Sequence, residues 1–336
     1  MAEQSNNELS SPPTSRKAGK WLAELMNRDG SLRNVSSIDA YYKAILGLSA
    51  AGFQEPSERM LNYVTGKYLL PNGDLDGSGC VWFEKHRTYP HSWLLMAAVV
   101  RARLDLVHRL ADFLERFQDP ESGGFFATTE QLHLRGRQEM MATGVAAIAL
   151  AWAGRIEAAL KTGHWFRRMY EAQPDLAKGL YFVWDRRTGL VTDYPAEQAV
   201  EFRVDASQLA QWYFQYGIAA ALATCLYGAT SDNSWLQLGR SYLDATKYCR
   251  EDVLRQGTSG KIGWGAAWMF RVTGDQQDRA IAQSVYSNLR DTQHADGWWS
   301  VTNIYSRDWS TLPEPQVSVT GEFAVLTSWM ENALLL

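Results

Sequence analysis

Apolar residues recur along this chain at helical spacing, in two alternating styles. One style is apolar around nearly the whole circumference. It covers IDAYYKAILGLSAAG (38–52), HSWLLMAAVVRA (91–102), ATGVAAIALAWAG (142–154), DASQLAQWYFQYGIAAALATCLYG (205–228), GAAWMFRVTG (265–274) and VTGEFAVLTSWMENALL (319–335). A helix of that kind must be surrounded by protein. The other style keeps one apolar stripe and one polar face. It covers KAGKWLAELMN (17–27), the segment from Pro56 through Leu69, LVHRLADFLERFQ (106–118), IEAALKTGHWFRRMYEAQ (156–173), WLQLGRSYLDATKYCRE (235–251) and RAIAQSVYSNLRDTQ (279–293). Six of each alternate at a repeat of roughly 50 residues. The pattern predicts an all-α (α/α)6 barrel, six inner helices ringed by six outer ones, as a single domain over residues 17–336. An open helical solenoid is the alternative, but its inner helices would expose a concave face and read as less apolar. Strands are expected only as a hairpin of residues 181–184 and 190–194 around Arg187-Thr188-Gly189.

The links between these helices are unequal. Inner-to-outer links are short, whereas the outer-to-inner links at 70–90, 119–141, 174–204 and 294–316 are long. Long structured loops in a compact domain are commonly functional. All of them fall at one end of the barrel, at the N-termini of the inner helices, where free N–H groups and the helix dipole favour an anionic or oxyanionic ligand. The site is predicted there.

Composition narrows the setting. A net charge of −4 argues against nucleic acid or an anionic membrane surface as partner. No segment approaches the roughly 20 uninterrupted apolar residues of a membrane helix. Residues 1–16 are polar and Pro/Ser-rich, with no apolar signal-peptide core, so a disordered tail on a cytoplasmic protein is expected. Cys80, Cys225 and Cys249 are odd in number and lack CxxC spacing, which speaks against a disulfide framework or a zinc finger. The 14 tryptophans exceed the usual share for this length and suit the lining of a ligand cavity.

The outer helices end repeatedly in Gln followed by a Gly-containing turn. The fullest instance is YSNLRDTQHADGWW (286–299), and weaker copies follow Gln118 and Gln173. Gln293…Gly297-Trp298 after Leu289 resembles the QW motif of squalene–hopene-type terpene cyclases. The six-fold alternation resembles their α/α toroid, which the β subunits of protein prenyltransferases share. The resemblance implies a barrel with a central pocket open at the loop-rich end. It does not extend to the family chemistry. The Asp-x-Asp-Asp acid motif is missing, Asp74-Leu75-Asp76-Gly77 being the nearest segment. The Asp-rich magnesium motif is missing too, and Asp76 and Cys80 have no third zinc partner. Two sugar-acting families share the barrel, the N-acylglucosamine 2-epimerases and the unsaturated glucuronyl hydrolases. The turn at Asp119-Pro120-Glu121-Ser122-Gly123-Gly124 looks like one common in the epimerases, although it is also simply a good turn.

Several polar residues sit where the barrel predicts a site. His91, at the start of an inner helix, reads as a general acid/base or as a packed helix-entry residue. His86 and His91 lack a supporting carboxylate or Cys at metal-ligand spacing, so no metal is expected. Asp205 reads as an N-cap of the longest inner helix, with Gln208 and Trp212 in its first turns. Arg203 reads either as an ion-pair partner of Glu201 and Asp205 or as an oxyanion-binding group. Glu322, on an apolar inner helix, must pair with a loop Arg or have a raised pKa suited to proton transfer. Trp82, Tyr89, Trp212, Trp268 and Trp299 are expected to shape the cavity, and Trp298 to pack between repeats.

These readings combine into an expected cofactor-independent cyclase or isomerase of natural-product biosynthesis, acting on a small, largely apolar substrate. Its polar groups would be His91, Arg203, Gln208 and Glu322, assisting a pericyclic (Diels–Alder type) or acid-assisted ring closure. The alternatives are a sugar-acting epimerase or glycoside hydrolase on the same barrel, and a non-catalytic ligand-binding or scaffold toroid.

Overall fold

The computed structural model describes residues 13–77, 80–300 and 315–335. The expected tail therefore lies outside the described residues, except for its last few positions, which already belong to the first helix. Six outer helices run α1 (Thr14–Glu24), α3 (Gln54–Tyr68), α6 (Leu104–Glu115), α9 (Ile156–Glu171), α11 (Asn233–Ala245) and α13 (Gln276–Thr292). Six inner helices run α2 (Tyr42–Ala50), α5 (Thr88–Val100), α8 (Met140–Trp152), α10 (Phe214–Thr230), α12 (Gly260–Thr273) and α14 (Pro315–Leu334). Each inner helix packs on the next, α2 on α5, α5 on α8, α8 on α10, α10 on α12 and α12 on α14. Helix α14 then packs on α2 and α1 and closes the ring. This closed ring is the predicted (α/α)6 barrel, and it excludes the solenoid. Among the described residues, no helix is long and apolar enough to cross a membrane.

The inner helices are buried as their composition demands. Met140 through Leu150 of α8 and Thr88 through Ala98 of α5 are buried without a break. Among the described residues the long links carry two short α-helices, α4 (Val81–Lys85) and α7 (Thr129–Leu134), and five short strands. Strands β1 (Arg137–Glu139), β3 (Val183–Asp185) and β4 (Gly189–Leu190) form one antiparallel sheet, with Gln138 opposite Trp184 and Trp184 opposite Leu190. Strands β2 (Gly179–Tyr181) and β5 (Arg203–Asp205) pair separately. The expected hairpin is present as β3–β4.

The recurrent Gln–Gly phrase has a structural explanation. Gln293 donates through Nε2 to Gly297 O (2.8 Å) in its own turn and to Thr14 O (3.0 Å) at the start of α1. Gln118 does the same toward Gly123 O (3.2 Å) and Ala158 O (2.8 Å) of α9. The glutamine thus ties the turn to the next outer helix. Gly123 and Gly297 have φ of +81° and +103°, and a Cβ on them would lie 2.4 Å from Lys161 O and 2.3 Å from Lys17 O. Only glycine satisfies both the left-handed backbone and the close approach. Gly30 and Gly73 meet Arg59 O and Arg109 O in the same way. The phrase is the joint between adjacent repeats.

Candidate active site

Side chains from five inner helices converge on the barrel axis. Glu322 of α14 is held between two ammonium groups, accepting from Lys43 of α2 on one carboxylate oxygen and from Lys261 of α12 on the other. All three are buried, with 4%, 8% and 6% of their surface exposed respectively. Aromatic rings enclose them. Lys43 Nζ lies 5.5 Å from the Tyr42 ring centre and 5.4 Å from that of Tyr89, on α5. Lys261 Nζ lies 6.0 Å from Tyr89 and 5.3 Å from Phe214, on α10. Groups from helices around the ring can meet at such distances only near its centre.

The backbone fixes this triad. A Cβ on Gly217 would lie 1.9 Å from Lys261 O, so α10 and α12 cross in backbone contact at Lys261 itself. Gly321 packs likewise on Ala44 N, where a Cβ would lie 2.7 Å away. Glu322 and Lys43, each one residue along, are thereby set side by side. About one helical turn along from Tyr89 and Lys261, Trp93 Nε1 on α5 and Trp264 Nε1 on α12 are buried. Among the described residues neither has a hydrogen-bond partner, nor does Gln215 Oε1, next to Phe214 on α10. Further along, Trp152, Trp264, Trp268 and Trp329 pack ring on ring, Trp264 lying 4.9 Å from Trp329 and Trp152 5.9 Å from Trp268. This aromatic layer joins α8, α12 and α14.

The electrostatics follow from this enclosure. Burial raises the Glu322 carboxyl, but the facing Lys261 and Lys43 charges outweigh it and bring the pKa down to about 2. Burial and the like charge of Lys43 push the Lys261 ammonium down, with Glu322 opposing. The sequence expectation for Glu322 is therefore corrected in both its forms. Its partner is a pair of core lysines rather than a loop Arg, and its pKa is lowered rather than raised.

Of the other residues expected in a site, Tyr89 joins the triad directly. Trp212 stacks between Phe182 (6.2 Å) and Phe214 (5.7 Å), the latter being the ring that Lys261 faces. His91 lies on the other face of α5, stacked on Phe113 of α6 at 4.2 Å. Its Nδ1 is 2.7 Å from Arg87 O and its Nε2 3.2 Å from Asp74 Oδ1. Arg87 also clasps Asp74, donating from Nε (3.0 Å) and a terminal nitrogen (2.8 Å). His91 thus anchors the 70–77 loop to the barrel wall. His86 pairs with Glu139, Nδ1 to Oε1 at 2.7 Å, joining the α4–α5 corner to the start of α8. Among the described residues, no three His, Cys, Asp or Glu side chains are grouped to hold a metal.

The long inner helix begins at Phe214, not at Asp205. Asp205 closes strand β5, and its carboxylate accepts from Ser207 N (2.9 Å) in a local turn, so it is no N-cap. Gln208 is exposed in that turn. Arg203 stacks on Tyr181 (5.2 Å), donates to Lys178 O and lies 3.7 Å from Asp205, outside the barrel axis. Trp299 is fully buried, donating from Nε1 to Leu289 O (2.8 Å) and meeting Phe323 edge-on. It wedges α13 against α14. Trp298 instead stacks with His294 (4.4 Å). Trp268 belongs to the aromatic layer with Trp152. The side chain of Trp82 lies outside the described residues.

Closed ring and axial charges together define an (α/α)6 barrel with a buried Lys–Glu–Lys triad ringed by aromatic side chains at its centre. No protein-family model and no curated protein sequence matches the chain. Solved structures do. A D-mannose isomerase superposes with a TM-score of 0.66 at 11% identity, covering 95% of this chain and 96% of its own. A family 76 glycoside hydrolase α-mannanase from Bacteroides thetaiotaomicron gives 0.63 at 11%, covering 96% and 95%. A cellobiose 2-epimerase from Bacillus thermoamylovorans gives 0.63 at 11%, covering 93% and 95%. These likenesses show the barrel fold end to end. They correct the resemblance to terpene cyclases, which holds for the toroid fold but no further. The expected cyclisation of an apolar natural-product intermediate falls with it. The similar barrels bear the names of sugar enzymes, and a buried set of two ammonium groups and a carboxylate is a poor lining for a hydrocarbon.

Proposed function

We propose that this protein is a sugar-acting barrel enzyme that moves a proton at the carbon beside a sugar carbonyl, as an aldose–ketose isomerase does. The observation that carries the reading is the axial carboxylate clasped by two lysines. In the resting barrel Glu322 is a weak base. A substrate hydroxyl and carbonyl that draw the ammonium groups toward their own oxygens free it to take the C2 proton. The electron pair moves toward the carbonyl, and the enediolate oxygen that forms faces Lys43 and Lys261. Glu322 then returns the proton to C1, and a hydroxyl proton passes from O2 to O1. A single carboxylate addresses one face of the sugar, which favours isomerisation over inversion at C2.

The hydrolase alternative is less well supported. Glycoside hydrolysis ordinarily uses two carboxylates. An inactive variant of the Salegentibacter α-1,6-mannanase, a similar barrel, lacks two consecutive aspartates. This sequence contains no two consecutive aspartates, and the partners of Glu322 are ammonium groups.

The test is exchange of the C2 hydrogen in deuterium oxide, followed by proton NMR across a panel of reducing hexoses and their acids and phosphates. Exchange is expected with the wild type and a fall of about 100-fold or more in Glu322→Gln. Exchange that survives this substitution, or is missing with every sugar, sinks the reading.

A further inference from the structure

The axial triad is unbalanced. Two ammonium groups and one carboxylate leave an excess of one positive charge in a part of the barrel closed by Tyr42, Tyr89 and Phe214. Each ammonium carries three N–H bonds. Among the described residues each has one hydrogen-bond acceptor, and both acceptors are oxygens of Glu322. The aromatic faces cover what remains, and they are weaker partners than an anionic oxygen. One turn along, the indole N–H groups of Trp93 and Trp264 add two further fully buried donors with no hydrogen-bond partner among the described residues.

We infer that the sugar this barrel takes carries its own negative charge, a carboxylate or a phosphate ester, placed against Lys43 and Lys261. The inference rests on the proposed proton transfer and follows from charge conservation. Moving a proton between the sugar and Glu322 leaves the total unchanged. A neutral sugar would therefore leave the triad at one positive charge from binding to product release. A sugar carboxylate, or a phosphate ester that keeps one proton, brings it to zero throughout, supplies acceptors for the idle ammonium N–H bonds, and diverts one lysine from Glu322, whereas a fully ionised phosphate overshoots to one negative charge. That diversion also makes the carboxylate more basic, as its role as proton carrier requires.

The experiment compares D-mannose, D-mannuronate and D-mannose 6-phosphate by titration calorimetry at pH 7 and low salt. At least one anionic sugar is expected to bind about tenfold or more tightly than D-mannose. Preference for the uronate alone identifies a carboxylate, and preference for the phosphate alone identifies a phosphate ester. Lys43→Met leaves a neutral Lys261–Glu322 pair and should lose the preference, whereas Lys43→Arg keeps the charge and should retain it. If the Met variant does not fold, the wild type and the Arg variant still decide. D-mannose binding as tightly as both anions overturns the inference, as does no binding of any of the three. Isomerisation of D-mannose with indifference to anions overturns the inference and leaves the proposed function standing. Tight uronate binding without C2 exchange in any sugar does the reverse.

Discussion

Replacing Glu322 by Gln should be the most damaging single polar substitution in this barrel, and its cost should depend on pH. The change keeps the side chain's size but leaves Lys43 and Lys261 facing each other with no negative charge between them. Breaking a buried ion pair from one side typically costs about 3–5 kcal/mol. The protein can escape part of this by letting one lysine lose its proton. Against a free lysine pKa of about 10.4, that costs about 4.6 kcal/mol at pH 7 and about 1.9 kcal/mol at pH 9. The loss of stability should thus be about 4 kcal/mol at neutral pH and about 2 kcal/mol at pH 9. Urea unfolding of wild type and variant at the two pH values measures it. The triple change Lys43→Met, Glu322→Leu, Lys261→Met removes the charges together and should be near neutral or stabilising, since apolar residues of similar volume commonly replace buried ion pairs without loss. A loss below about 1 kcal/mol, or an equal loss at both pH values, would show that water reaches the triad and that its charge imbalance is not felt.

Three further outcomes test the frame around the site. Burial raises the Asp74 carboxyl, but hydrogen bonds and charge from His91 and Arg87 reverse this and hold it well below the usual range. Its contribution is therefore present above the unfolded pKa of about 3.9 and disappears as pH falls through the folded value, so Asp74→Asn should destabilise at pH 7 by about 1–3 kcal/mol and match wild type near the acid limit of folding. Gly123→Ala, which meets both positive φ and Lys161 O, should cost more than about 2 kcal/mol in thermal unfolding, against about 1 kcal/mol for Gly154→Ala, which has φ +80° and open space. Gln293→Ala should cost about 1–3 kcal/mol and loosen the start of α1, read as faster amide exchange there, because Thr14 O loses its tie to the turn.

The barrel was legible because its signal is redundant. A buried helix such as α8 needs apolar residues on every side, and six such helices with amphipathic ones between them admit few arrangements. Helix starts were less legible. Reading α10 from Asp205 took a polar turn for a first helical turn, since Asp, Ser and Gln occur in both. Reading α12 from Gly265 instead of Gly260 left Lys261 in a loop, where a lysine attracts no notice. Lys43 was inside a helix read as buried, and the signal that marked Glu322, a charge on an all-apolar helix, applied equally to it. His91 was misjudged for a geometric reason. Periodicity shows that α5 is buried all round, but not which side of a buried helix faces the axis. Tyr89 turns inward and His91 outward to Phe113.

The Gln–Gly–Trp phrase drew attention because terpene cyclases carry something like it, yet its parts serve needs that any closed ring of helix pairs has. Each outer helix must reverse toward the axis, and each turn must dock on the next outer helix. Gly123 and Gly297 provide the reversal and close approach, and Gln118 and Gln293 tie the turn across the joint. Trp299 fills the angle between α13 and α14. None of these touches the axis, so the phrase constrains chemistry no more than a hinge constrains what passes through a door. The proposed chemistry depends on the axial residues, which are charged positions on largely apolar helices. On the proposed function, a barrel with Lys43, Lys261 and Glu322 at its centre favours charged, oxygen-rich ligands whatever its turns resemble, and exchanging those three side chains should change its ligand class while leaving the ring intact.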